Sequence, residues 1–164
     1  MIFLAVGTQL RFDRLAAAVD RWCQEHPDQE VFGQLGPVGD GGYQPRHYEW
    51  DESLSKAEFE AHLASAEFVV AHAGVGTILT SLLQRKPVLL MPRLTEFSEH
   101  RNDHQLATVR RFETTKGVFV AHTPSDVCSQ MDYLCSTEVK TAPLKEFSEG
   151  PLVKYLQRVL TETS

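Results

Sequence analysis

Five short, predominantly apolar runs punctuate the chain: Ile2-Phe3-Leu4-Ala5-Val6, Val31-Phe32-Gly33-Gln34-Leu35, Phe68-Val69-Val70-Ala71, Pro87-Val88-Leu89-Leu90-Met91 and Gly117-Val118-Phe119-Val120-Ala121. Each is too short for a helix, and its apolar residues fall at consecutive positions, as in strands buried on both faces. Arg46-His47-Tyr48-Glu49-Trp50 alternates instead and predicts a short strand with one solvated face. Between these runs apolar residues recur at helical spacing. Leu15, Val19, Trp22 and Cys23 share one face of a helix that Asp13 should cap and Pro27 should end. Phe59, Leu63 and Ala66 follow Ser55; Ile78, Leu79, Leu82 and Leu83 follow a glycine loop; Leu106 and Val109 point inward from 102–112, and Val127, Met131 and Leu134 from 124–134. Strands alternating with helices predict an α/β domain with a mainly parallel, Rossmann-like sheet and helices on both faces. The chain shows no repeat and no dividing linker, so 1–164 reads as a single domain. A tail over 142–164 ends in an amphipathic helix opened by Pro151 and carrying Leu152, Tyr155, Leu156 and Val159. Gly36 to Pro45 holds four glycines and two prolines, a loop that needs a partner surface to become ordered.

The stretch from Phe68 to Met91 organises the rest. Strand, His72-Ala73-Gly74-Val75-Gly76-Thr77, helix and strand form a right-handed crossover, which puts the glycine loop at the carboxyl edge of the sheet, where open α/β sheets bind ligands. Gly74 and Gly76 let a ligand approach the backbone, with Gly76 expected to use its freedom at positive φ, and the N–H groups of a helix starting near Val75 suit an anion such as phosphate. Gly7-Thr8-Gln9, after the first strand, should close the other side. That turn lacks the G-x-G-x-x-G of a dinucleotide fold and the carboxylates of a receiver-type phosphorylation domain, so both readings fail.

Composition narrows the picture further. At 164 residues, 42% hydrophobic and 23% charged, the chain can bury a sizeable core. A formal net charge of -6 with no basic run argues against nucleic-acid or anionic-membrane binding, so any phosphate must be held locally. Cys23, Cys128 and Cys135 form no metal or CxxC spacing, which fits a reducing cytosol. The first apolar run is too short for a signal or membrane-spanning segment, and the expected location is cytoplasmic.

Four motifs in order carry a resemblance: Gly7-Thr8-Gln9 with Phe12-Asp13-Arg14-Leu15; His72-Ala73-Gly74-Val75-Gly76-Thr77; Lys86-Pro87 with Met91-Pro92-Arg93; and Glu99-His100-Arg101-Asn102-Asp103-His104-Gln105. Over roughly 1–125 the chain resembles the glycosyltransferase family 28 carboxyl-terminal domain. More narrowly, it is similar to the small donor-binding subunits of two-component UDP-sugar transferases: bacterial exopolysaccharide types and the eukaryotic subunit that adds the second GlcNAc to dolichol-diphosphate-GlcNAc. The resemblance implies the carboxyl-terminal half of a GT-B transferase. This half would bind the UDP-sugar as substrate, with no cofactor and no metal, and a membrane-anchored subunit at the inner membrane face would bring a lipid-linked saccharide acceptor.

On that resemblance the donor-binding residues are Gly7, Thr8, Gln9, His72, Gly74, Val75, Gly76, Thr77, Arg93, His104 and Gln105. Arg93 would meet a phosphate or a partner carboxylate, and His104 with Gln105 would read the sugar hydroxyls. His72, Glu99 and His100 are the candidate catalytic groups, although none stands out as a general base, because the acceptor lies against the other lobe. Each has a plainer reading: His72 as a buried, hydrogen-bonded imidazole, Arg93 as a solvated surface charge. His100 and His104 stand four apart on an expected common helix face, but Glu99 precedes rather than follows the first of them, unlike the metalloprotease motif. The ribose-binding acidic residue of the family falls at Ser81 by spacing, which leaves ribose recognition open. A second function class also stays open, that of a non-catalytic accessory subunit stabilising a partner transferase.

Overall fold

The computed structural model describes residues 1–139 and 141. The tail expected to be helical lies outside the described residues, as does its amphipathic face. Six strands form one sheet: β1 (Ile2–Ala5), β2 (Val31–Gln34), β3 (Glu49–Asp51), β4 (Val69–His72), β5 (Val88–Met91) and β6 (Val118–Val120). Every pairing is parallel, and the spatial order is β3-β2-β1-β4-β5-β6. This is the doubly wound order, whose direction of winding reverses between β1 and β4, and the crevice at that reversal is the ligand position of open α/β sheets.

Among the described residues α1 (Asp13–Glu25), α2 (Lys56–Ser65), α3 (Val75–Leu83) and α4 (His104–Phe112) connect strands, and α5 (Pro124–Ser136) follows β6. Successive β1 side chains face opposite sides, as the strand period of two requires. Ile2, Leu4 and Val6 join Leu15, Val19 and Trp22 of α1 and Val127 and Met131 of α5 in one core; Phe3 and Ala5 join Leu63 of α2 and Ile78 and Leu82 of α3 in the other. Helices therefore cover both faces. Trp22 Nε1 donates to Asp132 Oδ1 at 2.7 Å and ties α1 to α5.

Several boundaries differ from the sequence reading, each for a local reason. Asp13 is the first residue of α1 rather than its cap; Phe12 holds the cap position without any side-chain bond. Ser55 does cap α2, in a reciprocal capping box with Glu58. The third strand begins at Glu49, not Arg46, because the N–H groups of Arg46 and His47 donate to Asp20 rather than to the neighbouring strand. Helix α4 starts two residues later than the expected 102, and its buried residues are Gln105 and Val109. The glycine-rich loop finds its ordering surface on its own domain: Tyr43 and the backbone after Pro45 bond to Asp20, and Val38 and Gly39 N–H donate to Glu52.

Candidate functional site

The carboxyl ends of β1, β4 and β5 surround a cavity of about 260 Å³ lined by Val6, Gly7, Thr8, Gln9, Leu10, His72, Arg93, His100 and Gln105. Seven of these were expected from the sequence; Val6 and Leu10 were not, and the only signal for Leu10 was an apolar residue directly after the polar turn. Among the described residues no carboxylate lines the cavity, which presents cationic, neutral polar and apolar groups.

The amino end of α3 reaches the cavity's neighbourhood through His72, a lining residue whose ring lies against Gly74. Gly74 takes the cap position with φ −87° and ψ 128°, so the helix begins at Val75. The N–H groups of Val75, Gly76 and Thr77 have no acceptor among the described residues, three free donors at the positive end of the helix dipole. Gly76 is not at positive φ; it lies inside the helix, and a Cβ there would meet nothing within 4 Å. Gly74 is different, because a Cβ would overlap Nε2 of His72. The opposite loop makes the same concession: Gly7, at φ +93°, would set a Cβ 3.1 Å from Cε1 of His72. The two glycines thus leave room for an imidazole between the loops as well as for any ligand.

His72 ends β4 with Nδ1 3.3 Å from the Ala5 carbonyl, an arrangement in which Nδ1–H donates and Nε2 is the free acceptor. Burial lowers its pKa to about 4 against the Ala5 hydrogen bond, and Arg93 and His100 push the same way, so the ring is neutral at physiological pH.

Arg93 is 3% exposed, not a solvated surface charge. Its Nη2 donates to the carbonyls of Val6 at 2.9 Å and Leu10 at 2.6 Å, and its Nη1 to those of Arg11 at 2.6 Å and Glu99 at 3.4 Å. Burial lowers its pKa to about 10, with Glu99 opposing, so it remains charged at neutral pH. Gln105 is also buried. Its Oε1 accepts from Ala73 N–H at 3.1 Å and Arg93 N–H at 3.0 Å, which fixes the amide orientation and leaves Nε2 without an acceptor among the described residues.

Glu99 is drawn elsewhere. Its two oxygens take a fork from Arg14, Nε at 2.7 Å and Nη2 at 2.8 Å, and Oε2 also accepts Leu94 N–H at 3.0 Å. A left-handed turn at Ser98 brings it there, after a short 3-10 turn over Thr95–Phe97. A carboxylate so engaged is an ion-pair partner, and it is not among the cavity's lining residues. His100 does line the cavity, its Nδ1 close to the backbone of Asn102. His104 is exposed on the first turn of α4, outside the lining, and since His100 precedes the helix the two do not share a helix face. Among the described residues no group of three His, Cys, Asp or Glu side chains converges as a metal site. Ser81 is fully buried with its hydroxyl donating to the Thr77 carbonyl, so it faces the core rather than a ribose. Gly74, Val75, Gly76 and Thr77, expected as donor-binding residues, are not among the residues that line the cavity. No helix of the described residues is long and apolar enough to cross a membrane.

Among curated proteins none matches the sequence significantly. Solved structures do match. The glycosyltransferase of kitacinnamycin superposes with a TM-score of 0.62 at 19% identity, covering 83% of this chain and 35% of that one. SnogD from Streptomyces nogalater gives 0.54 at 19% identity, covering 99% and 44%. ALG13 gives 0.62 at 18% identity, covering 90% of this chain and 92% of that one. This chain thus spans less than half the length of the first two and nearly all of the third. These likenesses establish the fold, that of the carboxyl-terminal half of GT-B glycosyltransferases. Residues 1–143 match the glycosyltransferase family 28 C-terminal domain, and to that family the chain belongs.

Proposed function

We propose that the chain is the donor-binding half of an inverting, metal-independent glycosyltransferase that draws on a UDP-sugar. A membrane-anchored partner would supply the acceptor lobe and a lipid-diphosphate-linked saccharide at the cytoplasmic membrane face. The observation that carries the reading is the set of three N–H groups at the start of α3 with no acceptor among the described residues, next to His72 of a cavity whose described lining holds Arg93 and two histidines and no carboxylate. When the bond from the sugar's anomeric carbon to the diphosphate breaks, negative charge grows on the departing UDP. Oriented backbone N–H groups stabilise that charge without a metal, and one such donor is typically worth about 2.7–4 kcal/mol. Thr8 and Gln9, exposed on the facing loop, would close over the diphosphate, and Nε2 of Gln105 would donate to a sugar hydroxyl. Of the candidate catalytic groups, His72 and His100 line the cavity while Glu99 is held by Arg14, and His100 would be the one to face the acceptor. The test is calorimetric titration and thermal denaturation of the purified chain with UDP, UMP and ADP, in EDTA. UDP at 100 times its Kd should add about 2.7 kcal/mol of stability, with UMP and ADP weaker. Sugar transfer should appear only when the partner subunit is added. No response to UDP, or full transfer by this chain alone, refutes the reading.

A further inference from the structure

The loop from Gly7 to Arg11 forms one wall of the cavity and has little of its own to hold it. It has no regular structure, and none of its N–H groups donates to a backbone carbonyl among the described residues. Thr8, Gln9, Leu10 and Arg11 are all exposed. Two of the loop's carbonyls, by contrast, meet at a single group, the Arg93 guanidinium, which takes those of Leu10 and Arg11 together with Val6 at the end of the preceding strand. With the Glu99 carbonyl included, its four terminal N–H groups are all engaged, and its Cζ lies 4.9 Å from the centre of the Phe12 ring. Arg93 therefore presents charge to the cavity but no free terminal donor.

Burying a cation costs several kcal/mol unless its donors are satisfied. Here two of the four terminal N–H groups are satisfied by main-chain oxygens of that loop and a third by the strand end that leads into it, so the shape of the loop and the solvation of the charge depend on each other. A second arginine completes the support from outside: Arg14 holds Glu99 and the Pro92 carbonyl, and so steadies the segment from which Arg93 extends.

We propose that Arg93 is a positioning residue, whose forked guanidinium holds the Gly7–Arg11 loop in the shape that receives the donor diphosphate, and that this depends on the fork and not on charge alone. The ligand half of this statement rests on the donor reading above; the loop half does not. A lysine ammonium is a point charge on a flexible stem and cannot span carbonyls of residues 6, 10 and 11 at once.

The experiment compares the wild-type chain with Arg93→Lys by backbone ¹⁵N relaxation and by UDP titration. In the wild type the amides of Gly7–Arg11 should give order parameters near about 0.85; in Arg93→Lys they should fall below about 0.6, with β2, β4 and α5 unchanged. The Kd for UDP should rise at least about tenfold, equivalent to about 1.4 kcal/mol. Wild-type order parameters in Arg93→Lys, or UDP binding restored by lysine, would overturn the proposal, because charge alone would then suffice. Should Arg93→Lys fail to fold, Phe12→Leu keeps the fork but removes the ring beneath it; loop order should drop there too, and an unchanged loop would count against the proposal. If the wild-type chain does not bind UDP at all, the donor reading fails, while the relaxation comparison still decides what Arg93 does.

Discussion

Acidification offers the most direct quantitative check on the site, because His72 is a histidine buried neutral. Its pKa falls from the ordinary 6.5 to about 4 in the folded chain, chiefly through burial. The unfolded chain therefore takes up this proton first, and stability is lost as pH drops below 6.5, the loss being complete below about 4. At 1.36 kcal/mol per pKa unit the full loss is roughly 3 kcal/mol, of which about 2 kcal/mol is felt by pH 5. Other groups titrate in the same range, so the useful quantity is the difference between the wild type and His72→Asn, whose amide can still donate to the Ala5 carbonyl. Urea unfolding at pH 7.5 and pH 5, analysed with a common m-value, should show the wild type losing about 2 kcal/mol more than the variant. Equal losses in the two proteins would refute the claim that His72 is held neutral by burial between the two glycine loops.

Three further substitutions read the same site. Gly74→Ala places a methyl group on the His72 ring and should cost about 1–3 kcal/mol, while His72→Ala in the same chain should recover most of it; additive effects in a double-mutant cycle would contradict the packing. Gly76→Ala meets open space in helical backbone and should raise stability by about 0.4–1 kcal/mol in thermal unfolding, so a loss would mean that the helix does not begin at Val75. Glu99→Gln removes one partner of a largely buried fork and should cost about 3 kcal/mol, with Arg14→Gln in the same chain costing much less than the sum; a change below about 0.5 kcal/mol in denaturant titrations would show that the pair is solvated.

Strand and helix types were legible in the sequence because apolar periodicity reflects burial, and burial on both faces is what Val69-Val70-Ala71 and Val88-Leu89-Leu90-Met91 have. The position of the site was legible for the same reason, since alternating strands and helices fix which loops share the carboxyl edge. The direction in which polar side chains point was not. Arg93 and Glu99 look alike in a polar loop, yet one is buried on carbonyls from a segment more than eighty residues away and the other closes an ion pair with Arg14. Those partners are distant in sequence, and no local spacing encodes them. Gly74 shows a subtler limit. Its lack of a Cβ reads equally as room for a ligand or room for a neighbouring side chain, and here a histidine two residues earlier occupies that room.

The buried polar side chains have a common logic. A parallel sheet satisfies its backbone within the ladder, but the loops leaving its carboxyl edge have no ladder, and their buried groups must be met by side chains. Of the five buried polar or charged residues among those described, Ser81 bonds within its own helix and Asp20 anchors the crossover between β2 and β3. The other three bridge the edge itself. Gln34 Nε2 donates to the carbonyl of Glu52 and joins the ends of β2 and β3; Gln105 joins the ends of β4 and β5; Arg93, from the end of β5, reaches across β4 to the loop that leaves β1. The strand ends around the cavity are thus tied to one another by buried polar side chains, and no fully buried side-chain nitrogen or oxygen among the described residues lacks a partner. An edge built this way is shaped before a ligand arrives. Less ordering entropy is then lost when a ligand binds, and more of its interaction with the edge remains as affinity.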